Sequence, residues 1–380
     1  MGERLQGHTD KIMLSFLNDY RKVASNMKGF RLQPLTSTYD RGKGIMQYEL
    51  IVKFRTSKRA RLYSGESYVK KNLSDQLDIS ENSIILKFTR SHKVVTDKML
   101  YSANSIFRFE LQRALCFYLA VNGYIPDVSS IILKNNNETV PINHFHFTDI
   151  WQNCHCDRLF VPDDLKIVFQ NHPQSKHVYI ALTYWLKAQL DPFVNDRFRA
   201  LWSGFNALYD AVCEGRKTER EKLDNFRDHF MSAENYPISM AYLQKYSEAI
   251  FRECRWYDYI NKKKPKRIAQ LIDQYPDTNT QEILIKYSRG IKKGNPEIAQ
   301  VLDKCEQSAT GSGTDYFAQL RFLLTEYIYS IRNGYFHAEK AYPLFTISRE
   351  SVKQHEEYLC DVLSNVVFET IKILSKSESR

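Results

Sequence analysis

The spacing of apolar residues changes character partway along the chain. Ile12, Phe16, Tyr20 and Val23 recur at helical intervals, so residues 10–28 are expected to form a helix. After Gly42-Lys43-Gly44 the pattern becomes short runs of strand formers: Ile45–Phe54, Arg61–Val69, Ser83–Phe88, Ser129–Leu133 and Leu165–Phe169. One helix interrupts them, Ser105–Asn122, with Asn104 as its expected cap and Gly123 as its stop. Residues 1–170 therefore read as a mixed α+β domain.

Beyond Asn171-His172-Pro173 the strand signals nearly vanish. Ser175–Leu190 has helical periodicity, and Asn195 is placed to cap a helix with Phe198, Leu201, Trp202, Phe205, Leu208, Tyr209 and Val212 on its apolar side, ended by Gly215. Amphipathic stretches follow at Thr218–Phe230, Ser239–Ile260, Lys266–Tyr275 and Thr280–Ile291. The loop Gly311-Ser312-Gly313-Thr314 leads into a helix with Phe317, Leu320, Leu324, Tyr327, Ile328 and Ile331 on one side, and Ser348 is the expected cap of a last helix reaching Leu374. Residues 174–376 read as an all-α bundle, and the chain as an α+β protein with its strands first.

Composition narrows the class. At 380 residues the chain has room for about two domains, and 43% hydrophobic with 26% charged residues is ordinary for globular proteins. Apolar stretches such as Ala114–Val121 fall far short of the ~20 residues of a membrane span. Met1-Gly2-Glu3-Arg4 begins no secretory apolar segment, and seven scattered cysteines suit a reducing compartment, so a cytoplasmic protein is expected.

Charge is uneven. Of the net +10, residues 1–71 carry +9, from 15 Lys and Arg against 6 Asp and Glu. Their densest part, Lys53, Arg55, Lys58, Arg59 and Arg61, lies between two expected strands with Phe54, Tyr63 and Tyr68 nearby. Cations with aromatic neighbours can follow a nucleic-acid backbone and stack bases, while the same cations could simply protect an exposed hairpin edge. A second run, Lys262-Lys263-Lys264-Pro265-Lys266-Arg267, lies between helices as a solvated loop or a phosphate contact.

Catalytic chemistry is concentrated in Arg332-Asn333-Gly334-Tyr335-Phe336-His337. Arg332 offers a permanent cation and a planar fork of donors for phosphate oxygens, and His337 can give or take a proton near neutral pH. Those are the two requirements of RNA cleavage without a metal. Residues five apart on an unbroken helix point about 140° apart. Gly334 is therefore expected to end the helix in a left-handed conformation so that both side chains face one cleft, with Asn333 bonding locally or orienting the pair.

The helical half resembles the HEPN family of ribonucleases and nucleotide-binding proteins, whose signature of Arg, a polar residue and a nearby His after a long helix is matched by Arg332, Asn333 and His337. The run Arg197-Phe198-Arg199-Ala200-Leu201-Trp202-Ser203-Gly204-Phe205-Asn206-Ala207-Leu208-Tyr209 is similar to the first bundle helix of the ApeA-like branch. There a Trp packs in the core and a residue near position 206, acidic in many relatives, faces the site; here it is Asn206. The resemblance implies an endoribonuclease with no cofactor, acting as a homodimer and leaving a 2′,3′-cyclic phosphate and a 5′-hydroxyl. It also implies a setting in prokaryotic toxins or anti-phage abortive infection, with a phage-derived trigger or an antitoxin as partner. Lys340 and Asn206 are the further RNA contacts it suggests, and residues 1–170 would serve as sensor, RNA-binding or regulatory domain.

Two other readings stay open. The helical half could be a non-catalytic dimerisation scaffold beside a basic nucleic-acid-binding segment. His144, His146, Cys154 and Cys156 could hold structural zinc, although their one-residue spacings are shorter than those of closed zinc modules and alternation in a packed strand explains them equally. No phosphate-cradling glycine loop, G-x-S-x-G or H-E-x-x-H sequence is present.

Overall fold

Along Met46–Phe54 (β1), the buried residues Tyr48, Leu50, Val52 and Phe54 occupy alternate positions on one side of a sheet, and Ile51 is buried between them. In this computed structural model, residues 46–70, 73–90, 94, 99–100, 105–135, 138–142, 156–213, 215–216, 218–308, 313–336 and 355–376 are described. The expected helix at 10–28, the stretch Gly42–Gly44 and the Ser348 cap lie outside them.

Arg61–Lys70 (β2), Leu73–Ser80 (β3), Ser83–Arg90 (β4), Val128–Asn135 (β5) and Thr139–Pro141 (β6) complete a six-stranded antiparallel sheet in the order β2-β3-β4-β1-β5-β6. Its register aligns two apolar rows, Leu77, Leu86, Leu50, Leu133 and Ile79, Ile84, Val52, Ile131. Directly opposed residues share a face, so each row is continuous across four strands. Ile106–Asn122 (α1) covers that face, and Tyr118 meets Phe54 at 4.9 Å between ring centres. Its cap is Ser105, whose hydroxyl accepts from Arg108 N, rather than Asn104; Gly123 closes it at φ 79°.

β1 and β2 are not hairpin partners, because β3 and β4 lie between them. β3 was not expected from the sequence. Its inward positions are Asp75, Leu77 and Ile79, and the carboxylate among them is neutralised by Arg90 through two hydrogen bonds of 2.8 and 2.6 Å.

The expected strand at Leu165–Phe169 is instead a 3-10 helix, Pro162–Phe169. Pro162 and two aspartates in its first turn favour a helical start, and Ile167, Val168 and Phe169 are buried in succession, which a strand with one inward face would not achieve. Phe169 packs on Tyr63 and Phe117, so this turn joins sheet layer and helices in one apolar core.

The described residues after it are mostly helical. Ser175–Leu190 (α2) and Val194–Val212 (α3) form an antiparallel pair, in which a Cβ on Gly204 would lie 3.2 Å from the Ala181 carbonyl oxygen. α3 begins one residue before Asn195, with Phe193 at the cap. Glu219–Asn225 (α4) continues as a π-helical turn to Phe230. The amphipathic stretch Ser239–Ile260 forms two helices, Pro237–Glu253 (α5) and Trp256–Asn261 (α6), divided where Trp256 Nε1 donates back to the Phe251 carbonyl at 2.7 Å. Pro265–Gln274 (α7), Thr278–Ile291 (α8) and Pro296–Ser308 (α9) follow.

A long helix then runs as Tyr316–Phe322 (α10), a π-helical turn Leu323–Ile328, and Tyr329–Phe336 (α11). His355–Lys376 (α12) packs against α2, α3 and α5, and Glu369 on it accepts from the Ile238 and Ser239 amides at the start of α5. The chain is an α+β protein, with an antiparallel sheet followed by a mostly helical region. Among the described residues no helix is long and apolar enough to cross a membrane.

Candidate functional site

Arg332 projects from α11 into a setting built by two other helices. Its guanidinium carbon stands 5.5 Å from the ring centre of Trp202 on α3. Nη1 donates to Glu219 Oε2 at 3.0 Å and to Asn333 Oδ1 at 2.8 Å. Glu219 opens α4, just after Thr218, whose hydroxyl and the Glu221 carboxylate form a reciprocal capping box. A carboxylate there is also favoured by the positive end of the helix dipole. Its other oxygen accepts from Tyr209 Oη at 2.9 Å. Burial, then the adjacent Glu219, push the Tyr209 hydroxyl far above its ordinary value, so it remains a neutral donor.

The upstream π-helical turn shapes the neighbouring surface. A π turn breaks the regular carbonyl ladder, and here the Thr325 carbonyl accepts from Arg220 Nη1 at 3.0 Å. The same turn aims Glu326, 1% exposed, at Arg220 and at Arg267 Nη2, the latter 2.7 Å away. Tyr327 reaches the other way, meeting His355 Nε2 at 2.7 Å at the start of α12.

Beside this turn lies an open cavity of about 450 Å³, walled by Arg220, Lys263, Arg267, Glu326, Ser330 and Asn333 among others. Asp224 is bound by Arg220 at 2.8 Å and Arg227 at 2.7 Å. The ammonium of Lys263 lies 4.6 Å from the Tyr259 ring centre and pairs with no carboxylate among the described residues. Burial holds Lys263 below the ordinary lysine range, Arg267 and Arg220 add to the effect, and Glu326 opposes it.

The expected break at Gly334 is not there. The helix continues through Gly334 to Phe336, because a left-handed glycine is one way of ending a helix and not an obligation, and an interior glycine costs only about 1 kcal/mol. His337 and Lys340 lie outside the described residues. Asn206 sits one turn from Trp202 and from Tyr209 along the same stripe of α3, and is half-buried. The carboxylate that meets Arg332 comes from Glu219, which sequence reasoning missed. Its signal was Thr218-x-x-Glu221, the spacing of a capping box.

Lys53, Arg55, Lys58, Arg59 and Arg61 are all exposed, at one end of the sheet, and none pairs with a described carboxylate. Their segment crosses the β3–β4 turn, where Glu81 N donates to the Ala60 carbonyl at 2.9 Å. The expected stacking partners do not serve that role. Phe54 and Tyr63 are buried core residues, and only Tyr68 of the three is partly exposed, its hydroxyl bonded to Glu66. Of the zinc candidates, Cys156 is buried, while His144, His146 and Cys154 lie outside the described residues. Among the described residues no group of His, Cys, Asp and Glu is placed to hold a metal ion.

Compared with protein-family models, curated proteins and solved structures, the chain matches none.

Proposed function

We propose that this chain is a metal-independent RNA endonuclease of the HEPN type, with Arg332, Asn333 and His337 as its working residues. The observation that carries this reading is the arrangement around Arg332. Its guanidinium is fixed by Glu219, stacked on Trp202 and bonded to Asn333, which also walls a cleft lined by Arg220, Lys263 and Arg267. A cation held in one orientation stabilises charge that develops on a phosphate without reorganising during the reaction.

In the proposed step the imidazole of His337 takes the proton of a ribose 2′-OH. The 2′-oxygen forms a bond to phosphorus, the P–O5′ bond breaks, and the 5′-oxygen leaves as a hydroxyl once it receives a proton. Arg332 binds the non-bridging oxygens, and Asn333 holds the guanidinium. With the helix running on through Gly334, no break there turns Arg332 and His337 into one cleft; the chain would act as a homodimer in which two copies of the motif line a shared cleft, in a toxin or anti-phage abortive-infection role under a phage-derived trigger or an antitoxin. The exposed Lys53, Arg55, Lys58, Arg59 and Arg61 would contribute further phosphate contacts, together with Asn206 and Lys340.

One observation favours a second reading. Glu219 already neutralises Arg332, as expected if the pair serves only to join α4 to α11 in a non-catalytic dimerisation scaffold. Incubating total RNA with the purified chain in EDTA separates the two. An endonuclease yields fragments with cyclic phosphate ends that disappear with His337→Ala; a scaffold leaves the RNA intact in both samples.

A further inference from the structure

We propose that the cleft between α4, α7 and the π-helical turn is a second phosphate subsite, which binds the backbone of a single RNA strand through Lys263; the inference rests on RNA being the ligand of the site around Arg332, and not on cleavage.

The chemistry of the walls selects an anion. Three cationic side chains converge there, Arg220, Lys263 and Arg267, and the two carboxylates among them are already engaged. Glu326 is buried and takes hydrogen bonds from Arg220 and Arg267, while Asp224 is held by Arg220 and Arg227. A metal cation would have to displace guanidinium groups from both. The ammonium of Lys263 is different, since no described carboxylate pairs with it and two arginines stand beside it. An incoming phosphate would give it an anionic partner and relieve that repulsion.

Neutral donors complete the wall. Ser330 contributes a hydroxyl, and Asn333, whose Oδ1 accepts from Arg332, keeps its amide NH2 as a donor. Arg332 lies on the neighbouring face of the same helix, and Glu219 and Arg220 are consecutive residues, one bound to Arg332 and the other walling the cleft. The two sites therefore share a rim, as successive phosphates of one strand require. The cavity, about 450 Å³, has room for a phosphate with its ribose.

The test measures binding alone, on the full chain carrying His337→Ala, with a labelled twelve-nucleotide single-stranded RNA and with uridine monophosphate. Lys263→Met is expected to weaken RNA binding roughly tenfold and to reduce the slope of log affinity against log salt by about 0.7, the value of one lost phosphate contact on a single strand. Lys263→Arg should restore most of the affinity, and Lys304→Met, which removes an exposed charge on α9, should change it less than twofold. Equal effects of Lys263→Met and Lys304→Met would overturn the proposal, and so would a mononucleotide that binds as tightly as the RNA with the same dependence on Lys263. Because no cleavage is read, a chain that proves inactive on RNA but shows the Lys263 effect removes the enzyme and keeps the subsite.

Discussion

Glu219 Oε2 and Arg332 Nη1 meet at 3.0 Å across the gap between α4 and α11, and the same carboxylate holds the Tyr209 hydroxyl. The pair does two things at once. It neutralises a mostly buried guanidinium, which would otherwise be costly to keep out of water, and it sets the plane in which the remaining donors point.

Glu219→Gln should therefore act on orientation more than on folding. The amide can still accept from Arg332 but no longer balances its charge. RNA cleavage is expected to fall about tenfold or more through misplacement of the guanidinium, mainly in the single-turnover rate rather than in RNA affinity. Measuring both quantities for Glu219→Gln and Glu219→Asp, with the thermal midpoint alongside, separates positioning from a loss of fold. Unchanged rates would assign the pair a purely structural part.

Trp202 is expected to matter for stability as well as for the site. It is fully buried, packs on Phe205 at 5.6 Å and carries Arg332 over its ring. Trp202→Ala should cost about 3–5 kcal/mol in urea unfolding, from lost burial plus a residual cavity. A loss below about 1 kcal/mol would mean that the ring is not packed as described.

Asp228 gives a pH-dependent readout. Its carboxylate accepts from Arg227 Nε and Nη2 at 2.7 and 2.6 Å and from Arg321 Nη2 at 2.8 Å. The hydrogen bonds from Arg227 hold it below the ordinary aspartate range, with burial opposing. A folded value below the unfolded one contributes stability above the unfolded value and loses it as pH falls through the folded value. The stability gap between wild type and Asp228→Asn should therefore be constant from neutral pH to about pH 4 and close below it. A gap that widens on acidification would contradict the assignment.

Gly123 should not tolerate a side chain. It closes α1 at φ 79°, and a Cβ there would lie 3.0 Å from the Cys156 carbonyl oxygen. Gly123→Ala is expected to destabilise the chain by more than about 1 kcal/mol, measured by chemical unfolding.

The sequence revealed most where one physical signal acted alone. Ser175–Leu190 could be read as a helix to the residue, because its periodicity runs between a proline on one side and Asp191-Pro192 on the other. β3 was hidden because an inward position carries Asp75, and only the distant Arg90 makes that charge tolerable. Phe169 and its apolar neighbours were misread as a strand, since a short apolar run does not distinguish a strand from a buried turn. At the site, Arg332 and Asn333 were legible as residue types, but their partner Glu219 is remote in sequence. The run Lys262–Arg267 reads from sequence as a solvated loop or a phosphate contact, and only the packing of α4 and α7 around the π turn shows that Lys263 lines a cleft.

In the proposed reaction Arg332 and His337 direct a ribose 2′-OH at the adjacent phosphate. The most direct measurement is a single-turnover assay in EDTA on an RNA oligonucleotide and its 2′-O-methyl counterpart, with wild type, Arg332→Ala and His337→Ala. The expected result is cleavage of the RNA alone, leaving cyclic phosphate ends, and at least a hundredfold loss in either variant. Cleavage of the 2′-O-methyl strand, or rates that survive both substitutions, would contradict it.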